Sequence, residues 1–244
     1  MNTHRGIRSF AVLLTCLLAS AVFADDHITQ ELSRTYMGRT SPPQSSEAWI
    51  ARDKASIKDG AFLIITRHDL KKRWMVNLRS KKYHEESLAA PLKSVAPKKK
   101  SFRIQEYGFD YEPVYDWTLD KNMPTETVEG KTCRKVVARG DADYAEEVRE
   151  IWLTEDVPIN IKRAYEVLIK PNLDAHLLKI YEKMPALRKG FVMKSVVTTE
   201  WPIAPTMLWV TKVTKVEVAP PPASIYDVPA GMQRVKTVEE LYAR

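Results

Sequence analysis

The stretch from Trp49 to Glu85 constrains the fold most, because short runs of β-branched and aromatic residues follow one another there with only a few residues between them. The runs are Trp49–Arg52, Ala55–Lys58, Phe62–Arg67, Arg73–Leu78 and Lys82–Glu85. Turn-like Asp59-Gly60, His68-Asp69-Leu70-Lys71 and Arg79-Ser80-Lys81 separate the later ones. Links this short join only antiparallel neighbours, since a parallel crossover needs about a dozen residues or more. The prediction is an antiparallel meander. In Arg73–Leu78, alternation puts Trp74, Val76 and Leu78 on one face and Arg73, Met75 and Asn77 on the other. The first set reads as core and the second as the wetter side.

Downstream, Leu88–Ser101 is rich in alanine, proline and lysine, ends in Lys98-Lys99-Lys100, and reads as a loop. Phe102–Asp120 then concentrates rings: Phe102, Tyr107, Phe109, Tyr111, Tyr115 and Trp117, interleaved with acids. They either line a binding mouth or pack across strands. Cys133–Ala138 and Val148–Thr154, around Gly140-Asp141, predict a further hairpin. Asn160 is placed to cap a helix over Ile161–Ile169, which Pro171 interrupts. Leu173, Leu177, Leu178, Tyr181 and Met184 continue at helical spacing. Strand patterns return at Phe191–Thr199 and Leu208–Val218, and Val238–Tyr242 predicts a terminal helical turn. The expected class is α+β: one domain over residues 25–244, built on a curved antiparallel sheet, with a broken helical insertion near 160–187 packed on its concave side.

Met1–Ala24 has the pattern of a secretory leader. Arg5 and Arg8 precede the apolar run Phe10–Val22, and Val22-Phe23-Ala24 supplies a cleavage motif before Asp25. The run is shorter than the roughly 18–20 residues that span a bilayer, and Asp25-Asp26 follow directly. Leu13-Leu14-Thr15-Cys16 is a poor lipidation box, because threonine stands where a smaller residue is wanted. The expected location is the periplasm, with peripheral contact to the outer membrane left open.

The chain carries +7, and losing Arg5 and Arg8 lowers this by two, to +5. The charges are interleaved rather than gathered into a stripe, which argues against nucleic acid. Cys133 is the one cysteine left after the leader, so no intrachain disulfide forms. His27, His68, His84 and His176 lack the spacing of a zinc-binding helix pair. His68-Asp69 and His84-Glu85-Glu86 read as surface, and Cys133, in a strand, as an inert packed thiol. No nucleophile elbow, phosphate-cradling glycine loop, CxxC or CxxCH is present. No cofactor and no enzymatic activity are expected.

Three phrases carry a resemblance. AWIARDKASIKDGAFLIITRHDLKKRWMVNLRSKKYHEE, then TVEGKTCRKVVARG with REIWLTEDVPI, and finally PPASIYDVPAGMQRV follow the order of pieces in a group of exported bacterial domains of unknown function. That group is related to the outer-membrane lipoprotein-carrier (LolA-like) superfamily, and the likeness covers most of residues 46–235. It implies an open half-barrel around a helical element, with an apolar concavity that accepts acyl chains in characterised relatives. The shared residues look structural, so no catalytic role passes to Asp69, Trp74, Tyr83, Gly130, Trp152 or Pro229. The expected ligand-binding set is Tyr107, Phe109, Tyr111, Tyr115, Trp117, Tyr165, Leu168, Leu177 and Tyr181. The helical residues among these, Tyr165, Leu168, Leu177 and Tyr181, either plug the concavity or lid it. The expected partner is an apolar ligand or a lipoprotein; the alternative is an interaction or sensor module with a self-filled cavity that meets an envelope protein.

Overall fold

The computed structural model describes residues 24–88, 116–120, 124–142, 145–172, 175–202 and 204–242. Residues 1–23, Lys98-Lys99-Lys100 and most of the aromatic stretch lie outside them. Among the described residues the strands form one sheet in the order β14-β7-β6-β5-β4-β3-β1-β13-β12-β11-β10-β8, with β2 on β1 and β9 on β10. These are β1 (Asp25–Tyr36), β2 (Arg39–Thr40), β3 (Gln44–Ile50), β4 (Lys54–Asp59), β5 (Phe62–Arg67), β6 (Lys72–Asn77), β7 (Lys82–Ser87), β8 (Asp116–Leu119), β9 (Thr125–Val128), β10 (Lys131–Ala142), β11 (Ala145–Thr154), β12 (Phe191–Trp201), β13 (Ala204–Ala219) and β14 (Gln233–Val235).

The sheet is unclosed and mostly antiparallel, and the meander β3 to β7 lies where the spacing predicts. Turn chemistry sets the register of the β1–β2, β9–β10 and β6–β7 hairpins. Glu129-Gly130 and Met37-Gly38 both have positive φ at two consecutive positions, the twist that matches a two-residue hairpin. Asn77 Oδ1 accepts from the N–H groups of Arg79 (3.0 Å) and Ser80 (3.2 Å), which fixes the β6–β7 turn.

Three expectations need correction. The strand expected at Trp49–Arg52 runs instead over Gln44–Ile50, and Ala51 N–H closes a turn onto Lys54 O (2.9 Å). The sheet is not wholly antiparallel: β14 pairs parallel to β7. The Arg73, Met75 and Asn77 face is not wet. All three are buried, Arg73 to 1% exposure, because other parts of the chain cover that side too.

Two layers make that cover. On one face Ile28, Ala48, Ile50 and Ala55 share a cluster with Ala164 and Val167, while Val136, Ala138, Ile151 and Leu153 pack with Tyr165, Ile180, Tyr181, Met184 and Leu187. This is the helix-bearing face. Its helical segment starts at Asn160, whose Oδ1 accepts from Arg163 N–H (2.9 Å), and contains α1 (Ile161–Arg163). A wider π-helical turn follows over Ala164–Ile169, with Lys170 N–H bonded to Tyr165 O, and then a tighter turn at Lys170–Asn172 around Pro171. The segment ends in α2 (Ala175–Lys183) and α3 (Ala186–Lys189).

Two guanidinium groups fasten it. Arg163 reaches Asp26 on β1, with Nη2 2.6 Å from Oδ1 and Nε donating to Oδ2 at 3.2 Å. Arg73 on β6 donates from Nη1 to Pro171 O (2.6 Å) and from Nε to Glu86 (2.8 Å). Further along the same face, α4 (Glu239–Tyr242) seats Leu241 beside Met75 and Val235, and its Leu241 carbonyl accepts from Asn77 Nδ2 (2.9 Å).

The opposite face of β4 to β7 buries Leu63, Ile65 and Val76 with Trp74, Tyr83 and Met232. Met232 belongs to a strap, residues 220–232, that crosses this side. Tyr226 OH donates to Asp25 Oδ2 (2.6 Å), and Arg67 Nη1 donates to Asp227 Oδ1 (3.0 Å). Burial, and then the Asp25 carboxylate, raise the Tyr226 phenol above its ordinary value. Asp25 and Asp26 therefore point to opposite faces of the central strand and anchor one covering layer each.

Candidate ligand-binding face

The helical segment covers the helix-bearing face over β3, β4, β10 and part of β11, and the same face continues beyond it toward the β1–β2 and β12–β13 turns. Strand pairing there lines up transverse rows. Arg149, Val197, Trp209 and Arg34 form one row across β11, β12, β13 and β1. Glu147, Thr199, Met207 and Tyr36 flank it on one side, and Ile151, Ser195, Thr211 and Leu32 on the other. Three strand spacings make each row about 14 Å long. Val197, Trp209, Met207, Tyr36 and Leu32 are only half-buried, so a floor of rings, aliphatic groups and hydroxyls lies partly open next to the helices.

The two ends of the central row differ. At one end Arg149 Nε donates to Glu147, whose other carboxylate oxygen accepts from Thr199 Oγ1 (3.5 Å), and Glu147 and Thr199 are both buried. The Arg149 guanidinium also stands 5.5 Å from the centre of the Trp117 ring. That ring lies against Gly140, the residue opposite it on β10, where a Cβ would come within 2.9 Å, so glycine is what lets the ring lie over the neighbouring strand. At the other end the Arg34 guanidinium lies 4.7 Å from the Trp209 ring centre and 5.6 Å from that of Tyr36. Arg34 Nε is shielded from solvent and has no hydrogen-bond partner.

Of the residues expected to bind ligand, Trp117, Tyr165 and Tyr181 come together. Tyr165 and Tyr181 stack with ring centres 5.6 Å apart and an interplanar angle of 23°, and both belong with Trp117 to the cluster between helix and sheet. They pack as filling rather than as a free-standing lid. Burial pushes the Tyr181 phenol up to about 12, with Tyr165 adding to the rise and Arg149 opposing it. Tyr181 therefore stays protonated through neutral pH and supplies no base. Leu168 packs at the edge of the neighbouring cluster, and Leu177 lies in α2. Tyr107, Phe109, Tyr111 and Tyr115 lie outside the described residues.

Sequence reasoning missed Arg34, Arg149, Val197 and Trp209. Alternation within Leu208–Val218 and the strand before it contained a usable signal, since Met207, Trp209 and Thr211 share a parity. Arg34 carried none, because its strand is too polar to read as one. Elsewhere Cys133 is fully buried and burial raises its thiol above the ordinary value, which keeps it a poor nucleophile. Among the described residues no group of three His, Cys, Asp or Glu side chains is arranged to hold a metal ion, and no helix is long and apolar enough to cross a membrane.

No protein-family model matches the chain, and no curated protein matches it. Solved structures do. One is PNGF-II, with a TM-score of 0.42 and 11% identity over 89% of this chain and 32% of that one, so the chain spans about a third of its length. Another is a DUF1329 family protein from Desulfovibrio piger, with a TM-score of 0.32 and 12% identity over 91% of this chain and 97% of that one. A LolA superfamily protein from Nitrosomonas europaea gives a TM-score of 0.30 and 7% identity over 84% and 90%. No site residue is carried over from them.

Proposed function

We propose that this is an exported, non-enzymatic protein of the bacterial envelope that binds or carries an apolar ligand, a lipid or the acyl chain of a lipoprotein, on the open part of its helix-bearing face. In this reading the sheet is a half-barrel, the helical segment fills one end of its concavity, and the ligand takes the other. The observation that carries it is the half-buried floor of Leu32, Tyr36, Val197, Met207 and Trp209, continuous with the buried helix–sheet core. Rings and aliphatic groups held in that state gain free energy from any apolar guest, at roughly 25 cal/mol for each Å² covered. The sequence resemblance and the leader pattern support the same reading, and cleavage before Asp25 would leave β1 whole.

The test is a native mass spectrum of the protein purified from a bacterial host, recorded before and after organic extraction. The expected result is a bound mass of several hundred daltons that extraction removes. A bare polypeptide mass before extraction contradicts the carrier reading and favours a module that meets a protein partner.

A further inference from the structure

We propose that Arg34 makes this face selective for a single-chain amphiphile with an anionic head, a carboxylate or a phosphate. This rests on the apolar-ligand reading above and adds the chemistry of the head group. Among the described residues the other arginines held in partly or fully buried positions each meet a carboxylate: Arg67 meets Asp69 and Asp227, Arg73 meets Glu86, Arg149 meets Glu147 and Arg163 meets Asp26. Arg34 is half-buried in the same way but has no carboxylate partner there, and its Nε is shielded without a hydrogen bond. The shielded donor is a standing cost, and the guanidinium charge meets no counter-ion on this face.

The surroundings match that guest. The guanidinium carbon lies 4.7 Å from the Trp209 ring centre and 5.6 Å from that of Tyr36, contacts that attract a cation yet neutralise no charge, so an anionic oxygen is the counter-ion this position lacks. The adjoining row positions, Leu32, Trp209 and Val197, offer an apolar track for the chain, which runs toward Arg149. Arg149 is already neutralised by Glu147, so the two ends of the track are not equivalent. The head belongs at Arg34 and the tail toward the Tyr165–Tyr181 stack.

The experiment is calorimetric titration of the purified protein with dodecanoate, dodecyl phosphate and neutral 1-monododecanoylglycerol, each below its micellar concentration. The wild type is expected to bind the two anions at least about tenfold more tightly than the neutral probe. Either order between carboxylate and phosphate supports the proposal and names the source, a fatty acid or a phospholipid-type head. Arg34→Met is expected to weaken binding of both anions at least about tenfold and so erase the preference. A circular dichroism spectrum and urea midpoint like those of the wild type show the variant to be folded. Arg34→Lys, which keeps charge without the fork, is expected to fall between. Equal binding of all three probes by the wild type, or a preference that survives in Arg34→Met, overturns the role of Arg34 and leaves the apolar-ligand reading standing. No binding of any probe defeats both.

Discussion

Replacing Arg73 by methionine is expected to cost about 3–5 kcal/mol of folding stability, the range for removing one partner of a buried ion pair. The guanidinium is almost fully buried and does two things at once: it neutralises Glu86 on β7 and donates to the carbonyl of Pro171. Methionine matches the apolar stem but leaves a carboxylate and a carbonyl without their donor. The Pro171 carbonyl stands at the end of the tight Lys170–Asn172 turn, where terminal carbonyls need a partner from outside the helix. Adding Glu86→Gln to Arg73→Met is expected to return part of the loss, since it removes the stranded charge. Urea denaturation followed by circular dichroism measures both variants. A loss below about 1 kcal/mol for Arg73→Met would show that the ion pair is not structural.

Arg163→Ala is expected to act at the other fastening point with a similar sign and a loss of about 3 kcal/mol. Here the exposed partner is removed and the buried one remains: Asp26 is 1% exposed and sits on the central strand, while the Arg163 side chain is 31% exposed. The asymmetry gives a second expectation. Asp26→Asn should be milder than Arg163→Ala, because it strands a guanidinium that can turn to water rather than a carboxylate that cannot. The same denaturation measurement decides it, and the reverse order would place the energetics of this pair on the solvent side. Together the two arginines hold the helical segment at a fixed place on the sheet. In the proposed reading, that makes it a permanent filling for one part of the face and leaves the rows through Trp209 free for a guest.

Several of these elements were legible from residue pattern. The meander from β3 to β7 was readable because its turns are short and its apolar residues alternate, and Asn160 and Pro171 marked the start and the break of the helical segment by chemistry that works locally. The central strand β1 was not. Thr29, Gln30, Glu31, Ser33, Arg34 and Thr35 make it polar, and its place comes from pairing with β3 and with β13 nearly the whole chain away. Strand propensity reports how a residue fits a half-buried surface, and that surface is supplied here by distant segments. The same non-local origin hid the parallel strand β14 and the burial of Arg73, whose charge reads as solvent-facing until Glu86 and Pro171 are brought beside it. It also explains the candidate site. The rings in the helical segment stood out at helical spacing, whereas the row from Arg149 to Arg34 exists only once four strands are in register.

The central claim is that a chain lies over Trp209 on the helix-bearing face, and contact quenching tests it directly. Bromine quenches an indole only at close approach, so a dodecanoate brominated near the middle of its chain should lower the tryptophan fluorescence of the wild type. Most of that quenching should be lost in Trp209→Phe and retained in Trp74→Phe, whose ring lies on the strap-bearing face. Quenching that persists in Trp209→Phe and falls in Trp74→Phe would put the ligand on the wrong side of the sheet and contradict the account.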